Sequence, residues 1–179
     1  MKVYLIRHTS VDVPMGTCYG HTDVPLAASF PEEAEAVKQK LEALNISFKA
    51  VYSSPLTRAR KLAAWCGYPE PILDDRLKEL NFGDWEMQKF DDIQDPNLQT
   101  WYNDYLHVRV TNGESFQDQL NRVGEFLETI RAKYQPDDAV AVFAHGGILT
   151  CSLLYTHATT LEEAFSNILP YGSIIQVNL

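Results

Sequence analysis

Apolar positions along this chain fall into two alternating patterns. Short unbroken runs appear at residues 2–6 (KVYLI), 50–52 (AVY) and 139–143 (AVAVF), the last being the most apolar. Runs of this length bounded by polar residues predict buried strands. Between them, apolar residues recur at helical spacing. Residues 31–44 carry Ala34, Val37, Leu41 and Leu44 on one stripe, and 115–134 carry Phe116, Leu120, Val123, Leu127 and Ile130. A helix is also predicted from Ser54-Pro55 to about Trp65, with serine as the cap and proline at the first helical position. Gly67 and Pro69 stop it. Residues 71–73 predict a short third strand, 147–155 and 161–167 two further helices, and 173–177 a last strand. Residues 76–105, rich in aromatics, Asp and Asn, predict short helices and loops. Strand and helix in alternation imply an α/β fold, with a mostly parallel central sheet and helices on both faces.

The 179 residues, 45% apolar and 22% charged, suit a single domain spanning 1–179. No run is long enough for a membrane span, and the chain opens on a strand without an apolar leader, so the expected location is cytoplasmic. Cys18, Cys66 and Cys151 are odd in number and widely spaced, which suggests inert thiols rather than a zinc knuckle or disulfide framework. A net charge of −9, from 15 basic and 24 acidic residues, argues against nucleic acid as partner. It leaves room for a small anion, because a few arginines in one pocket outweigh a diffuse acidic surface.

Two of the predicted strands end in the same way. VYLIRH closes on His8 and AVAVFAH on His145. In parallel sheets, ligands gather at the carboxyl ends of the strands, so adjacent strands ending in histidine would place both imidazoles on one crevice. Gly146-Gly147 then lets backbone approach a ligand closely and aims helix-start amides at it. A third stretch, VYSSPLTRAR, repeats the logic, with the Ser53 and Ser54 hydroxyls and Arg58 one turn into a helix. Arg7, Arg58 and two imidazoles at one rim would form a phosphate site, with Gly146 giving close backbone approach. Arg60 points about 200° away from Arg58 on the helix and is assigned to solvent or an ion pair. His107 and His157 have no partner pattern, and Glu114-Ser115 reads as a helix-start device.

Taken in order, LIRHT, SSPLTRA, LKELNFGDWE, NGESF and FAHGG resemble the histidine phosphatase (phosphoglycerate mutase-like) superfamily along essentially the whole chain. The resemblance implies a three-layer α/β sandwich, phosphorylation of His8 during turnover, and no metal or organic cofactor. GTCYGHTDVPLA resembles the α-ribazole phosphatase branch of that family, and puts Gly20–Asp23 in a loop over the substrate, with Gly20, His21 and Thr22 as candidate contacts alongside Thr9. Three positions depart from the family pattern. Thr9 replaces a glycine beside the nucleophile, Pro14 stands where an asparagine often touches phosphate, and Met87 follows Trp85-Glu86 in place of glycine.

The chemistry can be reasoned independently. A phosphate ester needs its oxygens neutralised, an in-line nucleophile and a protonated leaving group. A neutral imidazole beside an arginine suits the nucleophile, so His8 takes that role, Arg7 and Arg58 clamp the oxygens, and His145 adds a hydrogen bond or charge. Glu79, Asp84 and Glu86 are candidates for the acid, and the family pattern selects Glu79. The expected function is a metal-independent phosphomonoesterase acting on a small phosphorylated metabolite, with α-ribazole 5′-phosphate as candidate. Mutase-type phosphoryl transfer and a non-catalytic phospho-ligand module are the alternatives. Trp85, Phe90, Trp101, Tyr102 and Tyr105 are divided between pocket and core, at least half of them expected in the core.

Overall fold

The structure is a computed structural model describing residues 1–167 and 169–179. Five strands form one sheet: β1 (Lys2–Arg7), β2 (Ala50–Ser53), β3 (Ile72–Leu73), β4 (Ala139–Ala144) and β5 (Ile174–Asn178), in the order β3-β2-β4-β1-β5. β1, β2, β3 and β4 run parallel, and β5 pairs antiparallel with β1 at the edge. Among the described residues, six α-helices accompany them: α1 (Phe30–Ala43), α2 (Thr57–Trp65), α3 (Asn97–Asn103), α4 (Phe116–Lys133), α5 (Gly146–Tyr155) and α6 (Leu161–Ser166). Residues 71–105 otherwise form short 3-10 turns and loops. The result is the α/β sandwich with a mostly parallel sheet that the sequence pattern predicts.

Strand period explains the two faces. Tyr4, Ile6, Ala141 and Phe143 pack with Ala34, Val37 and Leu41 of α1 and Ala59, Leu62 and Ala63 of α2. Their strand neighbours Val3, Leu5, Val140 and Val142 point the other way, onto Val123, Phe126 and Leu127 of α4 and Ile148 and Leu149 of α5. The central strands are therefore apolar on both sides, as parallel strands between helical layers must be. A smaller cluster of Cys18, Trp85, Ile93 and Val110 lies under the loops, with Phe90 packed against it. The three thiols are unpaired, and burial pushes Cys18 and Cys66 up to about 12.

Several local expectations shift. Leu44 falls just past the end of α1 and is exposed, and Leu120 is only half-buried. α2 begins at Thr57, not at Ser54-Pro55. Ser54 is turned inward, and the first-turn donors of α2 are taken by a distant residue: Thr57 N–H (2.9 Å) and Oγ1 (2.5 Å) both donate to the Asp23 carboxylate. Ser115 caps α4 as expected, in a reciprocal box with Asp118, and Glu114 pairs with Arg122. Met87 adopts φ +66°, a conformation that glycine enters without steric cost.

Candidate active site

Register brings the three motif-bearing strands to one level. Arg7 pairs with Ala144 across β1 and β4, so His8 and His145 emerge opposite each other. Their ring centroids are 5.2 Å apart. On the other side of β4, Ser53 pairs with Phe143, and Ser54 N–H donates to the Phe143 carbonyl at 2.9 Å. Ser54 therefore meets His145, its Oγ lying 2.8 Å from Nε2. His8, Thr9, Ser54, Arg58 and His145 are all buried, a dense polar group at the end of an apolar sheet. Ser53 is turned away, its hydroxyl donating to the Ser54 carbonyl.

The orientation of His8 is determined locally. Its Nδ1 lies 2.7 Å from the Thr9 carbonyl, which can only accept, so Nδ1 carries the proton and Nε2 the free lone pair. Burial first, then the Arg58 charge, hold the imidazole at about 3; the Thr9 bond opposes and Arg7 adds to the lowering. His145, wholly buried beside Arg58, His8, Arg122 and Arg7, is also held well below its ordinary value. Both rings are neutral at pH 7.

Donors at this site lack partners in the protein. Arg7 Nε, Thr9 Oγ1, Arg58 Nε and His145 Nδ1 are buried and unpaired. Unpaired buried polar atoms are costly, and four around one nucleophile form a cradle for an oxyanion. Arg7 donates through Nη1 to the Leu169 carbonyl. A Cβ added at Gly146 would stand 3.2 Å from the Arg7 Cζ and Nε, so the glycine gives the guanidinium its room.

Glu79 is brought to the same cleft. Its Oε1 accepts from Gln119 Nε2 (2.8 Å) and Leu80 N–H (3.0 Å), and its Oε2 accepts from Gly147 N–H (3.1 Å). A Cβ at Gly147 would fall 2.3 Å from Oε1, so the second glycine is required for this carboxyl to reach the start of α5. The competing carboxylates are used elsewhere. Burial pushes Glu86 up, but the Thr22 hydroxyl and the amides of Gly20, His21 and Thr22 outweigh it and hold the group ionised. Asp84 is exposed and accepts from Asn112.

The loop at 20–23 braces both Glu86 and Arg58. The N–H groups of Gly20, His21 and Thr22 all donate to Glu86 at 2.8–3.1 Å, while the Gly20 and Thr22 carbonyls accept from Arg58 Nη2 (2.6 Å) and Nη1 (3.0 Å). The buried His21 Nε2 has no partner among the described residues. Tyr19, just before the loop, lines the cleft. Pro14 is exposed, grouped with Thr17 and Met87, and Arg60 is exposed as expected.

A cleft of about 530 Å³ opens from Arg7, His8 and Glu79 onto Leu80, Phe82, Trp101, Tyr105, Phe116 and Phe165. Of the aromatics weighed from sequence, Trp85 and Phe90 pack in the core, Trp101 and Tyr105 line the cleft, and Tyr102 is exposed. Gln119 was missed, although a signal existed: it sits on the apolar stripe of α4, three residues after Phe116 and four before Val123. Phe82, Phe116, Phe165, Tyr19 and Tyr171 carried no local mark of a site.

Known proteins resemble this chain in sequence and fold. The adenosylcobalamin/alpha-ribazole phosphatase of Escherichia coli (strain K12) is 32% identical over 163 residues, covering 84% of this chain and 76% of that protein. A probable phosphoglycerate mutase of Escherichia coli O1:K1 is 31% identical over 160 residues, covering 84% and 72%. The crystal structure of "a putative alpha-ribazole-5'-P phosphatase" from Escherichia coli str. K-12 superposes with a TM-score of 0.86 at 29% identity, over 98% of this chain and 89% of that one. The sequence model of the histidine phosphatase superfamily (branch 1) matches residues 3–179. With that match over nearly its whole length, and two neutral histidines held beside two arginines at the strand ends, this chain belongs to the histidine phosphatase superfamily, branch 1, and is a phosphatase.

Proposed function

We propose that the enzyme hydrolyses a 5′-phosphorylated riboside carrying an apolar aromatic base, α-ribazole 5′-phosphate being the candidate, through a phosphohistidine on His8. The observation that carries the substrate reading is the wall of the cleft. Beyond Arg7, His8 and Glu79 it is built from Leu80, Phe82, Trp101, Tyr105, Phe116 and Phe165, a surface for a flat apolar group. Among the described residues lining it, Arg7 is the one fixed cation. The carboxylate of a phosphoglycerate would find no second positive partner there, which favours the phosphatase reading over the mutase. The names of the α-ribazole relatives point the same way.

The roles follow from the donors. His8 Nε2 attacks phosphorus in line and the bond to the ester oxygen breaks. The Glu79 carboxyl passes its proton to the departing alkoxide. Arg7, Arg58 and the unpaired His145 Nδ1 meet the equatorial oxygens. With Ser54 Oγ, which accepts from the Leu56 N–H at 3.3 Å, donating its proton to His145 Nε2, the ring carries its own proton on Nδ1 and offers it to phosphate. The Glu79 carboxylate then takes a proton from water, which attacks the phosphohistidine and releases inorganic phosphate and neutral His8.

The test is a rapid acid-sparing quench during turnover of α-ribazole 5′-phosphate in the presence of EDTA. One acid-labile, alkali-stable phosphate per chain is expected, absent in His8→Asn. A kcat/KM for ribose 5-phosphate or 3-phosphoglycerate equal to or above that for α-ribazole 5′-phosphate would refute the substrate reading. Turnover abolished by EDTA and restored by a divalent metal would refute the mechanism.

A further inference from the structure

Two tyrosines outside the five-residue cradle join its two arginines. The Tyr171 ring lies 4.3 Å from the Arg7 guanidinium carbon and 5.4 Å from the His8 ring. The Tyr19 ring lies 5.4 Å from the guanidinium carbon of Arg58. The two phenol oxygens are 2.9 Å apart, one donating to the other. The result is a continuous chain of contacts, Arg7–Tyr171–Tyr19–Arg58, that bridges residues far apart in sequence.

We propose that Tyr19 and Tyr171 are positioning residues, a hydrogen-bonded pair that fixes the planes of Arg7 and Arg58 so that both meet the phosphoryl group on His8 in one geometry. This rests on the phosphatase reading above. Tyr171 is 39% exposed and comes from the turn before β5. Its backbone is pinned to the nucleophile strand: Gly172 N–H donates to the His8 carbonyl at 3.2 Å, and Arg7 N–H to the Ser173 carbonyl at 2.9 Å. Gly172 makes this turn at φ +68°. Arg7 needs such support the more, because Arg58 is already held through both Nη atoms by the Gly20 and Thr22 carbonyls. Among the described residues Arg7 is anchored through Nη1 to one carbonyl, and the Nε of each arginine is buried and unpaired, the donor left for an anion. A ring face on a guanidinium restrains its tilt without taking an N–H from the ligand. Burial and the Tyr171 hydroxyl push the Tyr19 phenol above its ordinary value, so it stays a neutral hydrogen-bonding group at pH 7.

The experiment is a double-mutant cycle on the intact chain with Tyr19→Phe, Tyr171→Phe and both together, with Tyr171→Leu alongside. Turnover of p-nitrophenyl phosphate and the Kd for orthovanadate are measured, with Tm as the control for folding. Each phenylalanine variant should lose about 3-fold in kcat with KM little changed, and the double variant no more than either single, because both remove the same bond. Tyr171→Leu also removes the ring from Arg7 and should lose roughly 3- to 30-fold, with vanadate affinity falling in step, and Tyr171→Phe should recover most of that. Additive single losses, an unchanged Tyr171→Leu, or losses that follow Tm and are not recovered by phenylalanine would overturn the proposal. A wild-type chain that binds orthovanadate but turns over no ester would refute the phosphatase reading instead, and the same cycle could still be read in vanadate affinity.

Discussion

The two halves of the cleft are built on different principles. The cradle of Arg7, His8, Ser54, Arg58 and His145 sits at the ends of the three adjacent strands β2, β4 and β1, or within one turn of them. Its members are buried or nearly so, and backbone register fixes where each begins. The opposite wall is drawn from loops, α3, α4 and α6, and Phe165 in α6 is 41% exposed. In that wall Phe82 and Trp101 pack on the loop cluster and Phe165 is substantially exposed, whereas nearly any change in the cradle leaves a buried donor or charge unpaired. The chemistry is thus tied to the buried, sheet-anchored part of the fold. Selection of the leaving group is left to short elements that can vary without disturbing it.

The sharpest way to break this division is to remove the nucleophile. His8→Ala should lower kcat on every ester by at least about four orders of magnitude, since no other group can carry the phosphate. Residual turnover within about 100-fold of wild type would mean that the cradle only binds. Glu79→Gln divides the cleft at its midpoint. On alkyl or sugar phosphates we expect a loss of roughly 10²–10⁴ in kcat/KM, the range for a positioned acid. p-Nitrophenolate needs little protonation to leave, so its loss should be smaller. Equal losses would remove Glu79 as the acid and leave His145 as the candidate, because Glu86 is held ionised by its amide partners.

The same contrast governs what could be read from sequence. Strand period and the abrupt change from apolar run to Arg7-His8 or His145-Gly146 are local signals, and they located the cradle. Glu79 came from family pattern alone, since Gln119, which orients it, lies forty residues away and is joined to it only by packing of α4. In the loop at 20–23 the residues were identified, but not that their amides meet Glu86 and their carbonyls Arg58. Whether an amide faces Glu86 or a substrate depends on backbone direction, which side-chain types do not encode. The cap signal at Ser54-Pro55 failed for a related reason. Ser54 Oγ is claimed by His145 and the Leu56 amide, so α2 starts later with Asp23 on its first turn. The cleft aromatics share one composition with the core aromatics, and only tertiary packing separates Trp101 from Trp85.

A change of pH should act on the cradle and spare the wall. His8 is held at about 3 in the folded chain, against about 6.5 unfolded. Below pH 6.5 the unfolded chain takes up a proton that the native chain refuses, so stability is full above that value and falls as pH falls towards 3. At pH 5 each such histidine should have removed about 2 kcal/mol relative to pH 7. Denaturant titrations of wild type and His8→Asn at pH 7, 6 and 5 check the sign. The variant should lose about 2 kcal/mol less over that interval. Parallel lines would show that His8 is protonated in the native state, and kcat/KM would then fall with an apparent pKa near 6.5. If His8 stays neutral, its own titration contributes no limb there.

The smallest effect tests the wall. Phe165 makes edge contacts with Tyr105 (4.9 Å) and Phe116 (5.1 Å), closing the apolar end of the cleft. Because it is substantially exposed, its removal should cost little stability, and it touches neither histidine nor either arginine. Phe165→Ala should therefore leave kcat/KM for ribose 5-phosphate within about 2-fold. For α-ribazole 5′-phosphate, which shares the ribosyl phosphate and adds the aromatic base, the loss should be about 3- to 10-fold, the size of one aromatic contact. The quantity to compare is the ratio of the two losses, since any disturbance transmitted to the cradle lowers both substrates alike and cancels. A ratio of one would mean that the base does not reach α6. The division between a fixed catalytic half and a selective half would then have to be drawn nearer to Glu79, at Leu80 and Phe82.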